Sequence, residues 1–262
     1  MMQFVVLTLF PELLESFGNH GIIRRAVELQ KISLKTIQIR DFAEGRHRVT
    51  DDRPYGGGPG MVMKPEPIAR ALQAASMEAP DALKIHLTPQ GRPFSHTIAG
   101  ELAQKKGLIL LCGRYEGIDE RIGDGFIDDE ISIGDYILTG GEIAAMVVID
   151  AVSRFIPGVL GCADSCEDDS FSKRLLEHAH YTRPYEFNGE AVPEILLSGD
   201  HQRVKHWRLL SSMIRTLLKR KDLLFRRLLT HEELDILQDF QKDIQSILEY
   251  QRQAQNNGRN DQ

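Results

Sequence analysis

Short apolar runs alternate with segments of helical spacing through the first 155 residues, and this alternation limits the possible folds more than any other feature of the sequence. The runs lie at residues 4–10, 32–39, 84–87 and 108–112. A strand that is followed by a helix predicts a parallel partner, because the helix returns the chain to the end of the sheet where the strand began. We therefore expect a mainly parallel α/β sheet, with ligands at the carboxyl ends of its strands.

Four segments have helical spacing, and they lie at residues 11–17, 68–79, 96–105 and 142–155. The last is apolar enough for a buried helix. Beyond it, residues 161–172 are small, polar and acidic without any period, which indicates a linker or a mobile loop. The predicted organisation is a main domain at residues 1–160, a flexible linker at 161–174, a helical domain at 175–250 and a disordered tail at 251–262.

In the carboxyl third of the chain, basic side chains are concentrated in one segment that has almost no acidic residues. Residues 203–227 contain nine basic side chains and a single acid, Asp222. One stripe of the helical wheel is polar or basic, with Lys205, Arg208, Ser212, Arg215 and Lys219. The neighbouring face is apolar, with Val204, Trp207, Ile214, Leu217 and Leu218. This pattern predicts a helix with a core side and a cationic side, and Thr230 and Glu233 have the spacing of a capping box for the next helix.

The composition narrows the class of protein. With 42% hydrophobic and 27% charged residues, the chain has material for a core but no run near the ~20 apolar residues of a membrane span. We expect no membrane contact and a cytoplasmic location.

Cys112, Cys162 and Cys166 have neither the number nor the spacing of a disulfide framework or a zinc site. The formal net charge of −6 does not indicate nucleic acid, although a net charge can hide a segregated basic face.

Glycine marks several segments that could carry chemistry. Residues 51–61 hold four glycines and two prolines but lack the Lys-Ser/Thr of a phosphate-binding loop, so they form either a surface loop or a backbone that folds over a site. Three loops after predicted strands, at residues 87–91, 112–117 and 132–141, contain further glycines. Such loops let main-chain groups face a nucleoside, but they are also ordinary connections in an α/β sheet.

Two polar segments have open interpretations. Residues 178–184 place histidine, tyrosine and arginine close together, which is typical of nucleic-acid contacts and of packed loops alike. Residues 167–169 are consecutive carboxylates in the expected linker, where a solvated acidic loop is the simpler interpretation.

Together these segments resemble the TrmD family, the bacterial-type tRNA (guanine-N1)-methyltransferases of the SPOUT class. The motifs that carry the resemblance occur in the family's order, at residues 51–61, 113–121, 133–142, 152–161, 169–171, 180–184 and 207–208. The resemblance runs from the first strand to about residue 230. It implies an enzyme that methylates N1 of the guanosine at position 37 of tRNA, 3′ of the anticodon, with S-adenosylmethionine as the donor.

The same resemblance implies a fold and a mode of assembly. The family has an α/β domain with a parallel sheet, whose carboxyl portion is threaded into a trefoil knot, followed by a small all-α domain. Knots are rare, and hydrophobic periodicity cannot predict one. The family works as a homodimer whose active site lies at the subunit interface. It is also associated with Mg²⁺, and Glu116 and Asp169 are the carboxylates to examine for such an ion, whose position the sequence does not give.

The resemblance assigns the catalytic roles to Asp169 and Arg154. Guanine N1 carries a proton that must leave before the nitrogen can attack a methyl group, and a carboxylate such as Asp169 can serve as the general base. The charge that develops on O6 needs a cation, which Arg154 would supply. Asp168 is an alternative base by composition, but alignment on Ser170-Phe171 selects Asp169. The linker would close over the site.

The binding residues follow from the same resemblance. The donor would be surrounded by Leu87, Pro89, Gly113, Tyr115, Ile133, Gly134, Asp135, Tyr136, Ile137, Leu138, Gly140 and Gly141. The guanine and the tRNA would contact Asp51, Glu116, Ser170, Lys205, Arg208 and Arg215. Ala144 stands where the family commonly has proline, which puts one contact of the donor loop in doubt.

Two alternatives compete with this assignment. One is a knotted methyltransferase that acts on a ribose oxygen or on rRNA, against which the pairing of Asp169 with Arg154 argues. The other is a non-catalytic RNA-binding protein that keeps the fold and the basic helices but has no need of a donor loop.

Overall fold

The computed structural model describes residues 1–160, 170–171 and 175–260, the last eight of these as backbone only. The chain divides into two compact units, Met1–Cys166 and Glu167–Gln262. The division falls within the segment 161–174 that the sequence assigns to a linker. In the described ranges no helix is both long and apolar enough to cross a membrane.

The first unit alternates strands and helices. Its strands are β1 (Met2–Thr8), β2 (Ile32–Gln38), β3 (Asp51–Asp52), β4 (Val62–Met63), β5 (Leu83–Pro93), β6 (Gly107–Cys112) and β7 (Asp129–Ser132). Its helices are α1 (Pro11–Gly18), α2 (Gly21–Glu28), α3 (Pro65–Glu78), α4 (His96–Leu102), α5 (Glu120–Phe126) and α6 (Glu142–Ser153). The four predicted strands and the four predicted helices are all confirmed, with shifts of three residues or fewer at their ends except in β5, which continues six residues past its predicted end.

Five strands form the central sheet in the order β2-β1-β6-β5-β7, and every neighbouring pair is parallel. The prediction of a parallel sheet is therefore confirmed. The expected loop at residues 87–91 differs from the structure, because β5 continues through it. After an irregularity, Arg92 pairs with Ile131 and Pro93 with Ser132. Gly91 makes this close pairing possible, since a Cβ there would overlap the main chain of Ile131.

Both faces of the sheet are buried. Phe4 and Val6 of β1 belong to the core under α1, α2, α4 and α6, whereas Val5 and Leu7 belong to the core under α3. A sheet covered on both sides needs apolar residues at successive positions, which explains the continuous apolar runs of β1 and β6. The apolar helix expected at residues 142–155 is α6, whose Val148, Ile149 and Val152 are fully buried.

The second unit contains helices and one small hairpin. Its helices are α7 (His201–Lys219), α8 (Lys221–Leu224) and α9 (His231–Asn260), and its strands are β8 (Glu186–Phe187) and β9 (Glu190–Ala191). The capping box at the start of α9 is confirmed, since Thr230 N donates to Glu233 Oε2 at 2.8 Å and Glu233 N donates to Thr230 Oγ1 at 3.3 Å. Helix α9 continues through residues 251–260, where the sequence predicted a tail without regular structure.

The two predicted faces of α7 are confirmed in part, since Val204, Trp207, Ile214 and Leu217 are half-buried whereas Lys205, Arg208 and Lys219 are exposed. Met213 and Thr216 are fully buried, whereas Leu218, expected on the core side, is 74% exposed. The reason is that residues 176–179 pack along the helix and are hydrogen-bonded to it, an arrangement that a helical wheel cannot show. Arg215, expected in the cationic stripe, donates from Nε to the carbonyl of Glu177 at 3.2 Å and is thus partly occupied within the protein.

Candidate active site

A cavity of about 440 Å³ lies at the carboxyl ends of β5, β6 and β7. Its volume is in the range of small-molecule sites. Eleven of the twelve residues expected around the donor line it, namely Leu87, Pro89, Gly113, Tyr115, Ile133, Gly134, Tyr136, Ile137, Leu138, Gly140 and Gly141. The twelfth, Asp135, is exposed and is not among the lining residues. The parallel sheet therefore brings residues 87–90 of β5 together with the loops after β6 and β7 at one edge.

An ion pair between Arg114 and Glu142 closes one side of this cavity. The guanidinium of Arg114 lies 3.0 Å from Oε2 of Glu142, whose side chain is 2% exposed. Arg114 also donates to the carbonyl of Thr139 at 3.2 Å. The pair thus joins the loop after β6 both to the first turn of α6 and to residues 133–141, which we call the donor loop.

The end of β1 contacts the same pair. The hydroxyl of Thr8 donates to Oε1 of Glu142 at 2.7 Å, and the ring of Phe10 lies 4.3 Å from the guanidinium carbon of Arg114. Both carboxylate oxygens of Glu142 are therefore hydrogen-bonded or ion-paired, as a buried carboxylate requires. The sequence assigned no role to Thr8, Arg114 or Glu142. Arg114 and Glu142 lie within the quoted motifs, but only their meeting in space identifies the pair.

Two glycines allow the donor loop to pass close to its neighbours. A Cβ at Gly140 would overlap the side chain of Arg114, and a Cβ at Gly141 would lie 2.7 Å from the Cα of Cys112. Gly141 N donates to the carbonyl of Gly113 at 3.0 Å, which holds the end of the donor loop against the loop after β6. The cavity wall here is consequently main chain.

The glycine-rich segment 51–61 docks on the rim of the cavity. β3 and β4 pair as an antiparallel hairpin with Asp51 opposite Met63, and the glycines of the segment lie in the loop between these two strands. Glu116 N donates to the carbonyl of Met61 at 3.0 Å, and the Glu116 side chain covers Gly60, where a Cβ would overlap it. Of the two predicted guanine contacts in this unit, Glu116 lines the cavity, whereas Asp51 is not among the lining residues.

Tyr115 forms part of the same rim in an uncommon conformation. Its φ of +59° is in the left-handed region, which non-glycine residues adopt rarely. The side chain is 52% exposed at the cavity mouth. Such backbone conformations persist where surrounding contacts impose them, and they are concentrated at functional sites.

His86 is a cavity residue that the sequence did not identify. It lies in β5, is 7% exposed, and its Nδ1 is 3.2 Å from Oε1 of Glu130. Burial lowers the pKa of its imidazole below the ordinary 6.5, while the hydrogen bond and charge of Glu130 and the charge of Glu120 oppose the shift. At neutral pH the ring is therefore uncharged, and Nδ1–H donates to the carboxylate.

The remaining predicted site residues lie elsewhere. Arg154 is half-buried at the carboxyl end of α6 and is not among the residues that line the cavity. Asp169 lies outside the described residues, and Ser170 belongs to the second unit, where its hydroxyl accepts from Glu177 N at 3.1 Å. Lys205 and Arg208 are exposed on α7. Ala144, at the position of the family's proline, is buried in α6 and lines the cavity.

We expect Glu142→Gln to destabilise the protein by about 3 kcal/mol, because the substitution leaves the Arg114 charge without its partner in a largely buried setting. The free energy of unfolding in urea, followed by circular dichroism, measures the loss. Asp81→Asn is the matched control, because it also removes a carboxylate from an ion pair. In that pair both side chains are exposed, Asp81 to 62% and its partner Lys106 to 78%. Equal effects of the two substitutions would contradict the importance of the buried pair.

We expect Glu130→Gln to lower the pKa of His86 further, because it removes the hydrogen bond and the charge that oppose the effect of burial. NMR titration of the histidine ring signals measures this pKa, and Glu78→Gln at an exposed ion pair with Lys35 is the control. The folded protein resists protonation of His86 more than the unfolded chain does. Its free energy of unfolding should therefore fall as the pH drops below 6.5, and more steeply in Glu130→Gln. A rise in this pKa would contradict the assignment.

Comparison with known proteins identifies the family. Residues 2–226 match the family model described as tRNA (guanine-1)-methyltransferase TrmD. A protein of Desulfatibacillum aliphaticivorans named tRNA (guanine-N(1)-)-methyltransferase is 55% identical over 250 residues, which cover 95% of each chain. A protein of the same name from Geotalea uraniireducens is 52% identical over 92% of this chain and 98% of its own length. The chain therefore belongs to the TrmD family of tRNA (guanine-1)-methyltransferases.

Proposed function

We propose that this enzyme transfers a methyl group from S-adenosylmethionine to N1 of the guanosine at position 37 of tRNA. The relatives' names specify tRNA and guanine N1, and the sequence motifs that suggested position 37 lie within the matched residues. The observation that carries the proposal is the cavity at the sheet edge, because residues 87–90 of β5 and the loops after β6 and β7 converge there with their main chain exposed to a ligand.

The cavity has the chemistry that the methyl donor needs. Ile133 and Leu138 offer apolar contacts to a flat base, and the adjacent glycines leave main-chain amides and carbonyls accessible to polar edges. When bound, the donor supplies the electrophilic methyl group. The contribution of the chain is to hold it in line with the guanine and to exclude water, which accounts for much of the rate of such a transfer.

Asp169 and Arg154 are proposed as the catalytic pair. Asp169 takes the proton from guanine N1, and Arg154 stabilises the negative charge that spreads to O6. The proposal rests on the resemblance and on this chemistry. Glu116, whose carboxylate lies on the cavity rim, is proposed to contact the guanine.

Magnesium is proposed to act through Glu116. Among the described residues no three or more His, Cys, Asp or Glu side chains form a cluster suited to a metal. Mg²⁺ commonly keeps several waters and uses only one or two protein carboxylates, so a single carboxylate on the rim is compatible with it.

The basic side chains of Lys205 and Arg208 are proposed to contact tRNA phosphates. Arg215 is proposed to contact a phosphate as well, through the guanidinium nitrogens that are not bonded to the Glu177 carbonyl.

The finer features of the family are also proposed for this chain, namely a trefoil knot, a homodimer with shared active sites and a cytoplasmic location. The knot is proposed from the resemblance to the family alone. The dimer is supported by Ile143 and Val147, apolar residues that are 52% and 41% exposed on the same side of α6 as the exposed Asp150.

Asp169→Asn is expected to lower the rate of methyl transfer by about 10²- to 10⁴-fold, the contribution of a positioned general base. Methyl transfer is measured with tRNA transcripts that carry guanosine or adenosine at position 37, and the modified base is identified by mass spectrometry. Donor affinity, measured by calorimetry, should stay unchanged. Asp168→Asn is the matched control, and loss of activity in that variant instead would transfer the role of base to Asp168. Methylation of the adenosine transcript at an equal rate would contradict the proposed substrate.

The dimer is tested by sedimentation. We expect the protein to sediment at twice the chain mass of 29.6 kDa. Ile143→Asp should shift the equilibrium to the monomer, because a buried unpaired charge opposes association. Met77→Asp, at a position of α3 that is 79% exposed, should leave the dimer intact. A wild-type protein that sediments as a monomer at micromolar concentration would refute the assembly.

A further inference from the structure

We infer that four aromatic side chains of the second unit, His178, His180, Tyr181 and Trp207, form a stacking site for an unpaired base of the RNA. We call them the aromatic cluster. The inference rests on the proposed function, to which it adds a way for the second unit to distinguish single-stranded from paired RNA. It concerns residues for which the sequence left the interpretation open.

The four rings form one continuous group. The ring centroids of His178 and His180 are 4.4 Å apart, those of His178 and Trp207 are 6.4 Å apart, and those of Tyr181 and Trp207 are 6.2 Å apart. The ring planes are tilted by 43°, 62° and 56°, so none of these pairs is stacked face to face. Tyr181 is 51% exposed and Trp207 is half-buried. The cluster therefore offers aromatic surface that its own members do not cover by parallel stacking.

Hydrogen bonds hold the cluster in place. Residues 176–181 run antiparallel to α7, and their register is fixed by bonds of Leu176 N to Thr216 Oγ1 (2.9 Å), Arg215 Nε to the Glu177 carbonyl (3.2 Å) and Ala179 N to Ser211 Oγ (2.9 Å). This register places Tyr181 beside Trp207. Nε2 of His180 lies 3.4 Å from Oε2 of Glu177, a contact that orients one imidazole. A site arranged before binding loses less conformational entropy when its ligand arrives.

The charge around the cluster indicates a polyanion. Arg203, Lys205 and Arg208 lie in the first turns of α7 with Trp207, and none has an ion-pair partner among the residues that the structure describes. Beyond the end of α7, three of the four cations are paired. Arg220 and Arg226 pair with Asp222, and Arg227 pairs with Glu233, whereas Lys221 has no ion-pair partner among the residues that the structure describes. Three exposed cations without an ion pair thus lie in the same turns as the aromatic rings.

Aromatic rings beside free cations fit single-stranded RNA better than a duplex. Binding of phosphates requires only cations and no aromatic rings. In a duplex, the faces of the paired bases are already covered by the bases stacked above and below them. An unpaired base has a free face that can stack on an aromatic side chain whatever its sequence. The cluster is therefore suited to a base from an unpaired loop, such as the loop that carries the proposed target guanosine.

The single tryptophan of the chain allows a direct measurement. Trp207 is the only one, so fluorescence that is excited selectively at tryptophan, and not at tyrosine, reports on the cluster alone. The full-length protein is titrated with a tRNA transcript and with a fully paired RNA duplex of the same number of nucleotides. We expect the tRNA to quench the fluorescence with the same midpoint as its binding curve, and the duplex to leave it unchanged.

Substitutions separate stacking from fold. Tyr181→Leu and Trp207→Leu should weaken tRNA binding by about 5- to 100-fold, the range for loss of one base-stacking contact. Tyr181→Phe and Trp207→Phe keep a ring and should retain most of the affinity. Tyr250→Leu, at an aromatic position of α9 that is 68% exposed, is the matched control and should bind like the wild type. Since Tyr181 is half-exposed and outside the helices, its variants decide the question even if Trp207→Leu does not fold.

The outcomes distinguish this inference from the proposed function. Normal methyl transfer to tRNA, with unquenched Trp207 and full affinity in both leucine variants, would refute the stacking site alone. Equal quenching by the duplex would show a phosphate surface and would refute it as well. Absence of methyl transfer by the wild-type protein would refute the proposed function, whereas ring-dependent quenching by tRNA would still support the cluster as an RNA contact.

Discussion

The buried ion pair of Arg114 and Glu142 holds together the parts of the candidate active site. A carboxylate that is 2% exposed is tolerated only where charge and hydrogen bonds satisfy both of its oxygens. In this fold that condition is met by Arg114 from the loop after β6 and by Thr8 from the end of β1. Glu142 also lies in the first turn of α6, where the helix dipole favours a negative charge. One residue thus links the first strand, the middle of the sheet and the helix that follows the donor loop.

This linkage explains why so much of the cavity wall is main chain. Arg114 lies across Gly140, and Gly141 lies against Cys112, so neither glycine has room for a side chain. The loops after β6 and β7 approach each other closely because they are in main-chain contact, as in the bond from Gly141 N to the carbonyl of Gly113. A wall of amides and carbonyls can recognise the edges of a nucleoside by hydrogen bonds whose positions do not depend on side-chain rotamers.

The sequence predicted the parallel sheet and the cavity edge well, because strand periodicity and glycine loops are local signals. It could not predict features that depend on contacts between distant segments. The extension of β5 past Leu87 depends on pairing with β7, and the orientation of α7 depends on residues 176–179. His86 was missed for the same reason. A single histidine in an apolar strand is not a recognisable signal in the sequence, and only the folded structure brings its ring to Glu130. The resemblance to the family, by contrast, named twelve of the residues that line the cavity, eleven around the donor and Glu116 at the guanine.

Charge sorting reconciles the acidic composition of the chain with an RNA substrate. The net charge of −6 is an average over a molecule in which nine of the ten charged residues between positions 203 and 227 are basic. Asp222 and Glu233 together offset two of these positive charges, and Arg215 is partly engaged by a carbonyl. The free charge that remains near Trp207 attracts phosphates over a distance of about 10 Å at moderate salt. Aromatic stacking acts only in contact, so the two interactions together select RNA first by charge and then by the presence of an unpaired base.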